Sequence, residues 1–131
     1  LNAHKNWNNQ SVEVSVNYTF TQSIDERTQK QLTYTPLHKL TTQFTYRYKN
    51  FSVAPSFLYI GKVYTTSSND ESSAIDAYGV FDVDFRQYFN LKSFPFTLNF
   101  KIKNVANTAY TNMPQRLMPG RNYHIQIIKK F

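Results

Sequence analysis

Between Ser11 and Thr21 apolar and polar side chains alternate without a break. Val12, Val14, Val16, Tyr18 and Phe20 take one parity; Ser11, Glu13, Ser15, Asn17, Thr19 and Thr21 take the other. A period of two is the geometry of a β-strand with an apolar environment on one face and a polar one on the other. The pattern recurs along the chain. From about Lys39 to Tyr48, Leu40, Thr42, Phe44, Tyr46 and Tyr48 oppose Lys39, Thr41, Gln43, Thr45 and Arg47. From Phe51 to about Tyr64, Phe51, Val53, Pro55, Phe57 and Tyr59 share a face, although Leu58 and Ile60 are apolar on the other. Pro55 has no N–H for a ladder, so a bulge or local irregularity is expected there. A fourth strand is expected from about Tyr78 to Phe89, with Phe81, Val83, Phe85 and Phe89 against Asp82, Asp84, Arg86 and Tyr88. A fifth, Phe96 to Val105, sets Phe96, Leu98, Phe100 and Ile102 against Thr97, Asn99, Lys101 and Lys103. The sixth, Arg121 to Phe131, carries Tyr123, Ile125, Ile127 and Phe131 on one parity, with Ile128 an apolar exception on the other.

Each segment has about the 9 to 11 residues that a tilted strand needs to cross a bilayer. The connections alternate too. Tyr48 to Phe51 and Asn90 to Pro95 are short, whereas Ser23 to Pro36, Thr65 to Ala77 and Ala106 to Gly120 are long and polar. Long loops on every second connection lie at one end of the strands, which is the asymmetry of an outer-membrane β-barrel: short periplasmic turns, long extracellular loops. By that parity Phe131 falls at the periplasmic end, where an aromatic carboxy-terminus serves as an assembly signal with Tyr123, Ile125 and Ile127. Leu1, Ala3 and Trp7 alternate with Asn2, His4 and Asn6, and Asn8 to Gln10 make a tight turn, so the chain is expected to begin inside a strand. Six strands and a fragment do not close a barrel, since the smallest have about 8, and each unpaired backbone group at an open edge in lipid costs several kcal/mol. The expected fold is therefore all-β: residues 1–131 as the carboxy-terminal portion of a larger antiparallel transmembrane β-barrel.

Composition bounds the alternatives. The longest apolar stretch, around Phe57 to Ile60, falls far short of the roughly 18 residues of a membrane-spanning helix. The net charge of +7 invites a nucleic-acid partner, but the basic residues are dispersed and gather on no one face, so none is expected. A basic rim against lipopolysaccharide phosphates uses the same charge. With no cysteine there is neither a disulfide framework nor a thiolate metal site. Leu1 to Lys5 has no charged n-region followed by an apolar h-region, so an export signal is expected upstream of Leu1.

Chemistry-bearing residues are sparse. Asp82, Asp84 and Arg86, with Glu13, Lys101 and Lys103 on other strands, read as a lumen wall of charges rather than as an acid–base pair, because no nucleophile-and-base spacing accompanies them. His4, His38 and His124 stand on separate strands without ligand spacing. Asn69, Asp70 and Glu71 form a short acidic patch that suits a solvated loop better than a calcium site. No catalytic, cofactor or metal residues are expected. Trp7, Tyr18, Tyr46, Tyr48, Tyr59 and Phe89 have amphipathic or aromatic rings suited to the headgroup level.

Three motifs carry a resemblance. Asn104, Val105, Ala106, Asn107, Thr108, Ala109 and Tyr110 match an "N-L-F-N-x-x-Y" pattern, with Val105 and Ala106 in place of Leu and Phe. Pro119, Gly120 and Arg121 match "P-G-R" before the last strand, and Tyr34 to Lys39 match "x-x-P-x-H-K". In this order and spacing the chain resembles the TonB-dependent outer-membrane receptors over nearly its whole length. Lys129 departs from that pattern, standing where a tyrosine or another apolar residue is usual. The resemblance implies a 22-stranded barrel closed by an amino-terminal plug, energised by the TonB complex, and importing a scarce metal chelate: cobalamin, haem or a ferric siderophore. The plug and the earlier strands are not among these residues. Implied partners are the remainder of the receptor, the outer membrane and its lipopolysaccharide, the TonB complex and a surface lipoprotein. Tyr64, Asn69, Met113, Gln115, Arg116 and Met118 are the candidate substrate-loop residues. Alternatives are an outer-membrane barrel enzyme, a passive channel, or a soluble barrel of lipocalin type with its faces reversed.

Overall fold

The computed structural model describes residues 1–92 and 94–129. The chain is all-β. In order, its strands are β1 (Asn2–Trp7), β2 (Gln10–Phe20), β3 (Ile24–Asp25), β4 (Lys30–Gln31), β5 (His38–Tyr48), β6 (Phe51–Ile60), β7 (Tyr78–Leu91), β8 (Phe94–Lys103), β9 (Thr111–Met113), β10 (Arg116–Leu117) and β11 (Asn122–Lys129). Seven form one antiparallel meander, β1-β2-β5-β6-β7-β8-β11, while β3–β4 and β9–β10 are small ribbons within two of the long connections. Among the described residues the sheet is open, with β1 and β11 as its edges.

Register turns the sequence alternation into two faces. Val12, Tyr46, Val53, Phe85, Phe100 and Ile125 stand opposite one another in an unbroken row across six strands. The adjacent row, one residue along, is Ser11, Arg47, Ser52, Arg86, Asn99 and Gln126. A one-residue slip of any strand would exchange its faces, so the apolar pattern itself fixes the pairing. Aromatic neighbours reinforce it: Phe85 stacks on Phe100 at 6.2 Å between ring centres and Phe89 on Phe96 at 4.8 Å. At Gly79 the Phe57 ring occupies the space of an absent side chain; a Cβ there would lie 2.9 Å from the ring.

Pro55 interrupts pairing without shifting register. β5 and β6 pair from Lys39↔Ile60 to Gln43↔Ser56 and again from Tyr46↔Val53, leaving Phe44 and Thr45 opposite Pro55 and Ala54 without a ladder. On its other side Pro55 stays in register with Val83. The irregularity is a missing donor and not a bulge.

Three strands end differently from the sequence expectation. β6 stops at Ile60, not near Tyr64, because Gly61 donates its N–H back to the His38 carbonyl at 2.8 Å and the chain leaves the sheet. β8 begins at Phe94, with Pro95 paired opposite Asn90, and ends at Lys103 where Asn104 turns left-handed (φ 50°). β7 runs on to Leu91. All three turns, β1–β2, β5–β6 and β7–β8, lie at one end of the meander, and the three long connections lie at the other.

There is almost no conventional core. Among the described residues the buried apolar side chains are Val63, Ile75 and Val80, all at the long-loop end, whereas Thr45, Asn99 and Asn104 are buried polar residues. The chain presents 9414 Å² to solvent, where a compact 15.4 kDa monomer presents about 7200 Å². Among the described residues no second layer packs on the sheet; only the last long connection folds over part of its polar face.

Candidate functional site

Large apolar side chains stand exposed on one face of the sheet. Ile125 is 73% exposed and Phe44 39%, while Thr45, on the opposite face beside Phe44, is 8% exposed. The polar face is hollowed. Its centre is a trough of about 270 Å³ floored by residues such as Gln43, Thr45, Ser56, Asp84 and Arg86. Three ion pairs cross it: Arg47–Glu13 at 3.3 Å, Lys101–Asp84 at 3.2 Å and Lys103–Asp82 at 2.7 Å. The partners are partly solvated, so each pair contributes only ~0–1 kcal/mol, and their effect is to make the wall hydrophilic. No nucleophile–base pair is assembled there.

The long-loop end is built around two polar nodes. The first is Asn104, 2% exposed. Its Nδ2 donates to the carbonyls of Thr108 (2.9 Å) and Pro119 (3.3 Å), and its Oδ1 accepts the Thr108 N–H (2.9 Å). Its own N–H donates to Asp82 Oδ1 at 2.8 Å. Asn107, also left-handed (φ 54°), accepts the Arg121 N–H on its Oδ1 at 2.8 Å, and the Arg121 Nε–H donates to the Val105 carbonyl. Gly120 leaves room for this closure, since a Cβ there would meet Asn107 Oδ1 at 2.6 Å and displace its bond to Arg121. Asn104, Gly120 and Arg121 are thus drawn together with Pro119, and Tyr110 packs on Tyr78 at 4.6 Å. These motif residues hold the last long loop over the sheet. That packing explains Leu58, one of the two apolar exceptions on the polar face of β6: with Val80, Tyr110 and Met118 it lines a cavity of about 330 Å³ under this loop.

The second node joins the other two long connections. Asn69, left-handed at φ 54°, pairs with the backbone of Gln31 in both directions: its Oδ1 accepts the Gln31 N–H and its Nδ2 donates to the Gln31 carbonyl, each at 2.9 Å. The Tyr34 N–H donates to the Tyr64 carbonyl at 2.9 Å. Glu71 accepts from Lys62 Nζ at 2.6 Å and from the Tyr64 hydroxyl at 2.9 Å. Those contacts, Lys62 foremost, hold the Glu71 carboxyl below the usual carboxylate range and raise both Lys62 and Tyr64. In the β3–β4 ribbon the Thr28 N–H, then its hydroxyl, lowers Asp25, whose Oδ1 also accepts the Arg27 N–H.

Of the candidate substrate-loop residues, Tyr64 and Asn69 are committed to holding loops together. Met113, Gln115 and Arg116 are exposed at the tip of the β9–β10 ribbon, with Gln115 in its turn at φ 61°. Met118 is half-buried, its N–H donating to the Tyr110 carbonyl. Tyr123, Ile125 and Ile127 lie exposed on the apolar face of edge strand β11; Phe131 lies outside the described residues. Among the described residues no three His, Cys, Asp or Glu side chains gather to hold a metal ion. Sequence reasoning missed Asn107, Asp82 and Gln31 as the groups that anchor the loops. The signal was present for Asn107, since asparagine is among the few residues that readily turn left-handed. No family model and no curated protein matches the chain.

Proposed function

We propose that this chain is a wall segment of an outer-membrane β-barrel, of the TonB-dependent receptor type, that imports a scarce metal chelate such as cobalamin, haem or a ferric siderophore. One observation carries the membrane assignment: one face of the sheet is an unbroken apolar row with large exposed side chains, and the other is a polar trough crossed by ion pairs. An uncovered apolar sheet face has to be covered by something, and lipid is the covering that also accounts for the dimensions. The eleven-residue strands β2 and β5 measure about 34 Å end to end and, tilted by roughly 40°, cover about 26 Å, close to the ~25 Å apolar band of such barrels. Trp7, Tyr48 and Phe89 flank that band at the turn end, and Tyr18 and Tyr59 at the loop end. The motif residues gathered around Asn104 and Arg121 support the receptor type.

In this assignment the polar trough faces a water-filled interior and the ribbon tip Met113–Arg116 faces outside, where it first meets ligand. No covalent step is involved. Cells producing the full-length protein should retain it in the outer membrane through alkaline extraction and accumulate labelled chelate, with accumulation abolished by a protonophore. Release into buffer without detergent would contradict the membrane assignment. Accumulation indifferent to the protonophore would indicate a passive channel.

A further inference from the structure

The two ends of the sheet differ in charge as well as in loop length. Of the eight side-chain carboxylates, Asp25, Glu26, Asp70, Glu71 and Asp76 lie in the long connections, and Glu13, Asp82 and Asp84 lie on the polar face. The carboxylate nearest the turn end is Glu13, ion-paired with Arg47, and this end carries Lys5, Lys49, Lys92 and Lys129, all exposed. Three of these lie over aromatic rings. Lys5 Nζ is 5.2 Å from the centre of Trp7, Lys49 Nζ 5.3 Å from Tyr48, and Lys129 Nζ 4.7 Å from Phe94. Lys5 and Lys129 are also on the apolar face, paired across strands with Val12 and Phe96. A lysine there is costly at mid-bilayer but tolerated at the rim, where its stem lies along apolar surface and its ammonium reaches the headgroups.

We propose that the turn-end rim is a docking surface for anionic phospholipid, with Lys5, Lys49 and Lys92 binding lipid phosphates while the rings beneath fix the depth of the cations. The assignment rests on the membrane reading above and adds leaflet chemistry to it: the leaflet at the turn end is the one whose negative charge the protein gathers. Charge complementarity selects lipid as the occupant, because the turn-end lysines stand along the edge of the apolar face, three of them over aromatic rings; the open hollow beside Lys49 is otherwise lined mainly by asparagines, Gln10 and Arg47 and carries no acidic group. Lys129, which departs from the aromatic or apolar residue usual at its position, gains a role as part of this belt.

Trp7 is the chain's one tryptophan and sits under Lys5, so it reports on this rim. Full-length protein would be reconstituted in phosphatidylcholine vesicles containing equal mole fractions of either brominated phosphatidylglycerol or brominated phosphatidylcholine. The Trp7 signal is the difference between the protein and its Trp7→Phe variant. Anionic lipid should be enriched roughly five-fold near each lysine, so brominated phosphatidylglycerol should quench about twice as strongly as its zwitterionic counterpart. The preference should disappear in Lys5→Gln/Lys49→Gln/Lys92→Gln and in high salt; the salt titration needs no variant and stands if the triple variant does not fold. Equal quenching by the two lipids, or a preference that survives both treatments, would overturn the rim assignment and leave the membrane reading intact. Absence of quenching by either lipid would instead remove the membrane reading.

Discussion

Asn104 shows how much of this structure rests on single polar side chains. It is buried, left-handed, and bonded to Thr108 and Pro119 through its amide and to Asp82 through its backbone N–H. Asn104→Ala leaves the Thr108 N–H and two carbonyls without their partner in a buried site, and gives up a residue that tolerates a positive φ. We expect a loss of about 2–4 kcal/mol, read as a shift of the urea midpoint for refolding into detergent or lipid. Arg116→Ala, at the exposed ribbon tip, should stay within about 0.5 kcal/mol. Glu71 gives a pH prediction. Its carboxyl is held below its ordinary range by Lys62 and Tyr64, so its contribution is present above the unfolded carboxylate pKa and is lost as pH falls through the lower, folded value. Hydrogen exchange at Ser73 and Ala74, corrected for intrinsic rates, should be slow at neutral pH and speed up below the usual carboxylate range. In Glu71→Gln it should already be fast at neutral pH, and an unchanged rate there would show that the Lys62–Glu71–Tyr64 contact does not order this loop.

At the level of strands, the two faces should respond oppositely to the same charge. Phe44→Arg places a guanidinium on the apolar face at the middle of β5 and should cost about 2–4 kcal/mol in lipid. Ser56→Arg, on the polar row, should cost much less; equal costs would mean that neither face meets lipid. Strands are also where the sequence was most legible. Seven periodic segments appear as seven strands in one meander, since a period of two over ten residues leaves little choice of face. Ends were harder to place, because they depend on events outside the period: the Gly61–His38 hydrogen bond that stops β6, and the left-handed turn at Asn104 that stops β8. The ribbons β3–β4 and β9–β10 were not legible, being two or three residues long and held by side-chain contacts such as Asp25 with Thr28. Residues joining different loops were not legible either, as Gln31 and Asn69 meet across 38 positions of sequence. The motif around Asn104 and Arg121 could be seen as a pattern but not as a mechanism; in the folded protein it is a loop closure.

For the whole molecule, orientation and covering follow from the same asymmetry. All long connections share one end, so in intact cells a cysteine at Gln115 should react with a membrane-impermeant maleimide and one at Asn50 should not; the chain has no cysteine to confuse the assay. Reversed labelling would invert the topology. The central claim is that the apolar face of this sheet meets lipid. Nitroxide scanning of β5 from Leu40 to Arg47 in the reconstituted full-length protein tests it directly, by comparing accessibility to oxygen, which partitions into lipid, with accessibility to a water-soluble nickel chelate. Oxygen accessibility should alternate with a period of two and peak at Leu40, Thr42, Phe44 and Tyr46, where the nickel chelate should be weakest. Nickel access at those even positions, with the odd ones shielded from it, would mean that the apolar face lies in water and would contradict the account.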